Sequence, residues 1–120
     1  QVRIDFVRPY YRFYPNQKAK TNFRSLTRHD LPHGFLVSDL DFRLSFPDGQ
    51  KRLYTFEYHR VPRIADIMTE LERHLYALLH GVISSDYKHP HSNLVLSVYE
   101  HSSAMQSVLE RLATWHKFQP

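Results

Sequence analysis

The segment SDLDFRLSFPDGQKRLYTFEYHR, residues 38–60, has the pattern of a β-hairpin. Apolar and polar side chains alternate on both sides of Pro47-Asp48-Gly49. A period of two is typical of strands that bury one face, and Pro-Asp-Gly is typical of a three-residue loop in which a type I turn is followed by a left-handed glycine. We therefore predict two antiparallel strands, with Phe46 paired with Gln50 beside the loop.

This loop fixes the register of the hairpin. The predicted cross-strand pairs are Leu40–Phe56, Asp41–Thr55, Phe42–Tyr54 and Asp39–Glu57. In this register the apolar faces of the two strands coincide, whereas a slip of one residue would set Leu40 against Glu57. The hairpin is therefore expected to project a set of chemically active side chains from one face, namely Asp39, Asp41, Glu57 and His59.

The acidic face of the hairpin suits a divalent cation. Two carboxylates directly opposite each other repel, and a cation between them removes that repulsion. Carboxylate oxygens are the ligands that Mg²⁺ and Mn²⁺ prefer, so we interpret Asp39, Asp41 and Glu57 as candidate metal ligands. The spacing is equally compatible with a solvated polar face on which Arg43 or Arg60 neutralises the acids.

The rest of the chain predicts one α+β domain with the order β-β-β-α-β-α. Its sheet is expected to be mostly antiparallel, with helices packed on it and the last strand joined by a crossover, parallel to a neighbour. The predicted strands are residues 2–8, 35–46, 51–60 and 93–101, and the predicted helices are residues 62–81 and 102–116. Most of residues 16–33 and residues 84–92 are predicted to be loop.

Two of these strands carry finer expectations. In the first strand, Val2, Ile4 and Phe6 are expected to share one face, and Pro9 excludes a central position for its end. The run NLVLSVYEH, residues 93–101, is nearly all apolar, which favours a central strand.

The first 30 residues are basic and aromatic. The chain has a net charge of +4 over 120 residues, and this segment has seven cations against Asp5 and Asp30. Cations neutralise phosphates and aromatic rings stack on bases, so the pattern indicates a nucleic-acid surface. A solvated strand face is the alternative. The candidate nucleic-acid contacts are Arg3, Arg8, Arg12, Lys18, Lys20, Arg24 and Arg28.

Composition also limits the class of protein. The chain contains no cysteine, which excludes a disulfide framework and thiolate metal sites and favours a cytoplasmic protein. No apolar run approaches the roughly 20 residues of a membrane span, so we expect no membrane partner. Because the sequence begins with Gln1, we expect it to be a fragment whose partners include other domains of a longer protein.

The hairpin motifs resemble those of the PD-(D/E)XK nuclease-like superfamily. Ser38-Asp39 is similar to its Pro-Asp, and Glu57-Tyr58-His59 to its Glu-x-Lys. The whole segment resembles more closely the replication-relaxation type of protein of plasmids and mobile elements, with Arg60 in the place of an arginine of that motif. The resemblance covers residues 36–115 and implies a restriction-endonuclease-like core for the single domain of residues 1–120. It also implies DNA as partner, Arg60 as a further nucleic-acid contact, and Mg²⁺ or Mn²⁺ as cofactor if the site is active.

The same resemblance implies catalytic roles for Asp39, Glu57 and His59. His59 departs from the family pattern because histidine does not replace the fixed charge of lysine. We therefore expect a DNA-associated domain of a mobile-element or DNA-processing protein that cleaves weakly or not at all. The alternative is a non-catalytic interaction domain that uses its sheet edge or last helix to form a homodimer or to bind a partner protein.

Overall fold

The computed structural model describes residues 1–10, 26–60 and 63–115, which form a mixed α/β fold. A mixed sheet of four strands has the order β1-β4-β5-β6, and a separate hairpin pairs β2 with β3. The strands are β1 (Arg3–Pro9), β2 (Arg28–Leu31), β3 (Gly34–Val37), β4 (Leu40–Ser45), β5 (Lys51–His59) and β6 (Leu94–Tyr99). The helices are α1 (Ile64–His80), α2 (Val82–Asp86) and α3 (Ser102–Thr114).

The β4–β5 hairpin has the predicted register. Leu40, Asp41 and Phe42 pair with Phe56, Thr55 and Tyr54, respectively. At the loop, the Phe46 amide donates to the Gln50 carbonyl at 2.8 Å, and Gly49 has a φ of 88°. A side chain at this φ is strained, which explains the glycine. The predicted parallel pairing of the last strand is also confirmed, because β6 runs parallel to β5.

The predicted strand 35–46 is wrong as a single element. The chain leaves one sheet and enters the other at Ser38 and Asp39. The Ser38 amide donates to the Thr27 carbonyl, beside β2, whereas the Asp39 amide donates to the Phe56 carbonyl on β5. Two consecutive residues therefore have different partners, and the strand breaks between them into β3 and β4.

The loop predicted over residues 16–33 is also wrong for Arg28–Leu31, which pair with β3. The inward side chains here are Thr27 and His29, and both are buried. Because these residues are polar, the segment lacks the hydrophobic alternation by which a strand is recognised. The earlier part of that prediction, residues 16–25, lies outside the described residues.

The two outer strands of the four-stranded sheet differ from prediction. A register shift between Ile4 and Phe6 turns them to opposite faces, so the predicted common face is wrong. Ile4 is exposed, whereas Phe6 packs against the core. Among the strands of the described residues, the apolar β6 pairs only with β5, so its predicted central position is wrong as well. Pro9 lies on an edge strand, in agreement with its missing amide donor.

The helices pack over the inner face of the four-stranded sheet, the face that carries Asp41, Leu53 and Glu57. The α1 helix presents Ile67, His74 and Ala77 inward and ends at Gly81, which has a φ of 61° as a left-handed C-cap. The central cluster of buried apolar side chains is Leu36, Leu53, Ala77 and Ile83. Ile83 lies on the short helix α2, which replaces the first part of the loop predicted over residues 84–92.

The outer face of the sheet is apolar and remains exposed. Its exposed members lie on three different strands; they are Ile4, Val7, Tyr58, Leu94, Leu96 and Val98, with exposed fractions of 40% to 64%. Phe42 and Tyr54 stack between them with ring centroids 4.9 Å apart. The polar side of the hairpin is thus the covered side, and most of its apolar side faces outward.

None of the helices in the described part of the chain is both long and apolar enough to span a membrane.

Candidate active site at the ends of β4 and β5

The site is built around two carboxylates on neighbouring strands. Continuing the β4–β5 register one residue beyond Leu40–Phe56 places Asp39 opposite Glu57. The Tyr58 amide donates to Asp39 Oδ2 at 2.7 Å, which fixes the Asp39 carboxylate at the strand end. Asp39 is exposed and Glu57 is 4% exposed, so one acid of the pair meets solvent and the other lies beneath it.

Glu57 holds its proton at neutral pH. Burial raises its pKa to about 9, with further contributions from the negative charges of Glu70 and Asp39 and from a hydrogen bond with Asp39. Removing a carboxylate from water disfavours the charged form, and a second carboxylate nearby acts in the same direction. Glu57 is therefore an uncharged carboxylic acid beside Asp39.

His74 on α1 closes the site from the helix side. Its Nε2 lies 2.9 Å from Glu57 Oε1, and the side chain is 2% exposed. Burial lowers the pKa of His74 to about 4, so the imidazole is neutral at pH 7. The contact between His74 and Glu57 is thus a hydrogen bond between two neutral groups, although their types would allow an ion pair. Glu70 lies one helical turn before His74, and burial raises its pKa too.

His59 ends β5 at the edge of the same site. Its ring packs against Tyr99 at 4.7 Å between centroids, and its buried Nε2 has no hydrogen-bond partner among the described residues. Burial lowers the pKa of His59, and the nearby Asp39 charge opposes that shift only in part. The ring is therefore neutral near pH 7 and cannot supply the permanent charge of a lysine.

An open cleft of about 430 Å³ lies at the end of β5, where Tyr58 and His59, the residues that follow Glu57, line it. Its lining includes His59 and Glu70, together with Arg60 and Arg63 from the connection between β5 and α1. The Arg60 side chain is 81% exposed and lies 4.0 Å from Glu100. The cleft thus combines exposed guanidinium groups with carboxylates, an arrangement suited to anionic ligands that can bridge to a cation.

Asp41 lies deeper and belongs to a second polar cluster. It is fully buried; Tyr87 donates to its Oδ2, and His29 Nε2 lies 2.7 Å from the same oxygen. His29 Nδ1 contacts Asp86 Oδ2 at 2.8 Å. Burial opposes the charge of His29, but the hydrogen bonds and charges of Asp41 and Asp86 outweigh it and raise its pKa. These contacts tie β4 to β2 and to the end of α2.

Sequence reasoning did not single out four polar residues of these two clusters, which are His29, His74, Asp86 and Tyr87. His29 and Asp86 lie in segments that were predicted to be loop, so their pairing was not visible. A signal existed for His74, since a histidine at an inward helical position requires a polar partner.

The described residues contain no group of three or more histidine or acidic side chains arranged to hold a metal ion. The metal role predicted for Asp39, Asp41 and Glu57 therefore stays a prediction. Asp39 and Glu57 fit it better than Asp41, because they lie opposite each other and Asp39 accepts a hydrogen bond from the amide of Tyr58, which lines the cleft. Asp41 Oδ2 is occupied by two hydrogen bonds, and its buried Oδ1 has no partner in the described part of the chain.

The predicted nucleic-acid residues fall into two groups. Arg12, Lys18, Lys20 and Arg24 lie outside the described residues. Of the others, Arg8 and Arg60 lie toward the end of the sheet that carries Asp39, whereas Arg3 lies at the opposite end. Arg28 lies 3.0 Å from Asp30 and stacks over the Phe35 ring at 4.1 Å. The described cations therefore do not form one continuous surface.

Comparison with models of known protein families finds no match for this chain, and neither curated proteins nor solved structures give one.

Proposed function

We propose that this chain is a DNA-associated domain with a nuclease-like carboxylate site that cleaves weakly or not at all. One observation carries the proposal: Asp39 lies opposite Glu57 on adjacent strands, beside a cleft lined by Arg60 and Arg63. Titratable groups with shifted pKa values at the edge of a cleft are typical of functional sites. The arginines would contact phosphates, and the acids would lie next to the phosphodiester.

The acid pair has the chemistry of a cation site. Mg²⁺ is commonly held by one or two protein carboxylates, with waters and substrate phosphates as the other ligands, so Asp39 and Glu57 fit it. A bound Mg²⁺ or Mn²⁺ would activate water and stabilise charge on the phosphodiester. Burial and the neighbouring negative charges keep a proton on Glu57, and a cation bound beside the pair would relieve the same repulsion.

The raised pKa of Glu57 and the neutral ring of His59 weaken metal binding and cleavage at this site. With a Glu57 pKa of about 9, a cation at pH 7 must displace a proton, which lowers its apparent affinity by roughly 100-fold. His59 is neutral and does not replace the lysine of active nucleases. A domain that holds DNA without efficient cleavage follows from these two properties.

Cleavage and binding assays test this proposal together. Single- and double-stranded DNA are incubated with the protein and Mg²⁺ or Mn²⁺, and the native chain is compared with Asp39→Ala and Glu57→Ala. We expect binding with little cleavage. Robust cleavage that both substitutions abolish would show that the site is a competent nuclease, and cleavage that survives both would place the activity elsewhere.

The role of the cleft is tested by single arginine substitutions. Arg60→Ala and Arg63→Ala should each weaken DNA binding and reduce its salt dependence by nearly one released counterion. Arg111→Ala is the matched control, because Arg111 is an exposed arginine on α3 and does not line this cleft. Equal binding by all three variants would refute a DNA-contacting cleft.

A homodimer formed through the outer sheet face is the second candidate function. Strands spaced about 4.8 Å apart, with about six residues each, give a face of roughly 400 Å² in projection. A patch of that size is at the level at which exposed apolar surface marks an interaction site. Two copies could stack their sheets at about 10 Å, which would bury the apolar side chains of both.

Sedimentation analysis distinguishes this second candidate. We expect a dimer at micromolar concentration and a monomer for Leu96→Lys, since Leu96 is 40% exposed near the middle of β6. Glu110→Lys on α3 is the control for the added charge. A native chain that stays monomeric at about 100 μM, far above a typical dimer Kd, would reject the homodimer and leave the face to a different partner.

A further inference from the structure

The end of the sheet opposite the acid pair contains a second open pocket, of about 830 Å³. The β4–β5 hairpin forms one wall, through Gly49 in its loop and through Lys51 and Arg52 at the start of β5. The connection between α2 and β6 forms the other through His89 and His91. Lys51 and Glu57 are six positions apart on one extended strand, which separates the two sites by about 20 Å.

This pocket is positively charged. Lys51 and Arg43 both pair with Asp5, at 3.8 and 3.1 Å, and Arg3 lies 3.6 Å from the same carboxylate. One carboxylate therefore faces three cations, of which Lys51 lines the pocket, and Arg52 is a second cation at the pocket wall. Asp48 is the acid that lines the pocket, and its Oδ1 accepts a hydrogen bond from the Gln50 amide. The charge that remains is positive.

The second observation is His89. Its side chain is 6% exposed, yet neither ring nitrogen has a hydrogen-bond partner among the described residues. Buried polar atoms are nearly always satisfied, so an imidazole with two unpaired nitrogens at a pocket wall indicates a missing ligand or water. Burial, followed by the charges of Arg43, His91 and Lys51, lowers the pKa of His89. The His89 ring is neutral, and an anion bound beside it would offset the positive charges of Arg43 and Lys51.

The loop that carries His89 is held in place. The His89 amide donates to the Ser84 carbonyl at 2.7 Å, and Ser84 Oγ donates to the His91 carbonyl at 2.6 Å. Both histidines are thereby fixed to α2 before any ligand binds. A pocket whose donors are already positioned loses little conformational entropy on binding.

We propose that this pocket binds a phosphate group through Lys51 and the ring N–H of His89. A phosphate accepts several hydrogen bonds at once, here from the Lys51 ammonium and from the one N–H of the neutral imidazole. Arg52, whose guanidinium stacks over the Phe46 ring at 4.7 Å, adds positive charge at the pocket wall. The phosphate pocket is separate from the carboxylate pair. Phosphate binding there does not depend on whether that pair binds a metal. The phosphate could belong to a small molecule or to a nucleic-acid backbone, since both present the same chemical group.

Titration with inorganic phosphate, followed by NMR of the histidine rings, tests the proposal. We expect a saturable shift of the His89 signals and an upward shift of the His89 pKa, because the bound anion stabilises the charged imidazole. Lys51→Gln should weaken phosphate binding by about tenfold, the effect of one charge-assisted hydrogen bond. Lys51 is half-exposed, so this variant should fold normally.

Arg111→Gln is the control, because it removes one exposed cation on α3 that does not line this pocket and should leave phosphate affinity unchanged. Competition with a short oligothymidylate then identifies the source. Displacement of phosphate by the oligonucleotide supports a backbone phosphate, and phosphate binding without displacement supports a small molecule. No saturable shift at phosphate concentrations of about 50 mM, or a shift unaffected by Lys51→Gln, would overturn the proposal.

Discussion

The raised pKa of Glu57 has a direct effect on stability. Folded Glu57 loses its proton near pH 9, whereas an unfolded glutamate loses it near pH 4.5. Between these values the folded state holds more protons, so the free energy of unfolding falls as pH rises. The slope is about 1.4 kcal/mol per pH unit for one group, which gives roughly 2 kcal/mol between pH 7 and 8.5.

Glu57→Gln isolates this contribution. Glutamine keeps a neutral group beside His74 but has no proton to lose, so the pH-dependent loss from this site should disappear. The free energy of unfolding is measured by urea denaturation, followed by the fluorescence of Trp115, the single tryptophan of the chain. The native protein should lose about 1.4 kcal/mol per pH unit relative to Glu57→Gln over this range.

The range from pH 7 to 8.5 excludes a contribution from His74, the hydrogen-bond partner of Glu57. The pKa of His74 is lowered to about 4, so its contribution changes only between that value and its ordinary pKa near 6.5. Glu110→Gln, which alters an exposed carboxylate on α3, should keep the slope of the native protein. Parallel curves for the native chain and Glu57→Gln would refute the reasoning, because they would mean that Glu57 is already ionised and paired with a charged His74.

Three further outcomes are expected. Asp41→Ala should lower the free energy of unfolding by about 3–5 kcal/mol in thermal or urea denaturation, because it removes the buried carboxylate that His29 Nε2 and the Tyr87 hydroxyl both contact; a loss below about 1 kcal/mol would contradict that role. Leu53→Ala, at a fully buried position, should cost about 2–5 kcal/mol, and a near-neutral effect would place Leu53 outside the core. Replacing Arg8, Arg12 and Lys18 with alanine should weaken DNA binding and flatten its salt dependence, and unchanged affinity and slope would reject the basic segment as a DNA contact.

The hairpin could be predicted from the sequence because its signals are local. Pro47-Asp48-Gly49 selects one loop geometry, and the alternation on both strands permits one register. The amphipathic pattern that ends at Gly81 located α1 for the same reason. The opposition of Asp39 and Glu57 followed from the register alone, without any knowledge of the rest of the fold.

The remaining features depend on partners that are distant in sequence. The strand β2 was not predicted because its inward residue His29 is polar. A buried histidine is explained there only by its contacts with Asp41 and Asp86, which are distant in sequence. The apolar β6 suggested a central strand, yet apolar composition cannot tell a strand covered on both faces from one whose second face is exposed. The burial of Glu57, which determines its protonation, likewise depends on how α1 packs.

The parallel pairing of β5 with β6 has a consequence for synthesis on the ribosome. Tyr54 and Leu94 are paired although about 40 residues separate them, so β5 must wait for α1, α2 and β6 to emerge. At typical elongation rates of 5–20 residues per second, this delay lasts about 2–8 s. During that time β5 has an unpaired edge next to an apolar sheet face, the combination that favours pairing between chains. A nascent chain that stalls before Leu94 is therefore a natural client for chaperones that bind extended apolar segments.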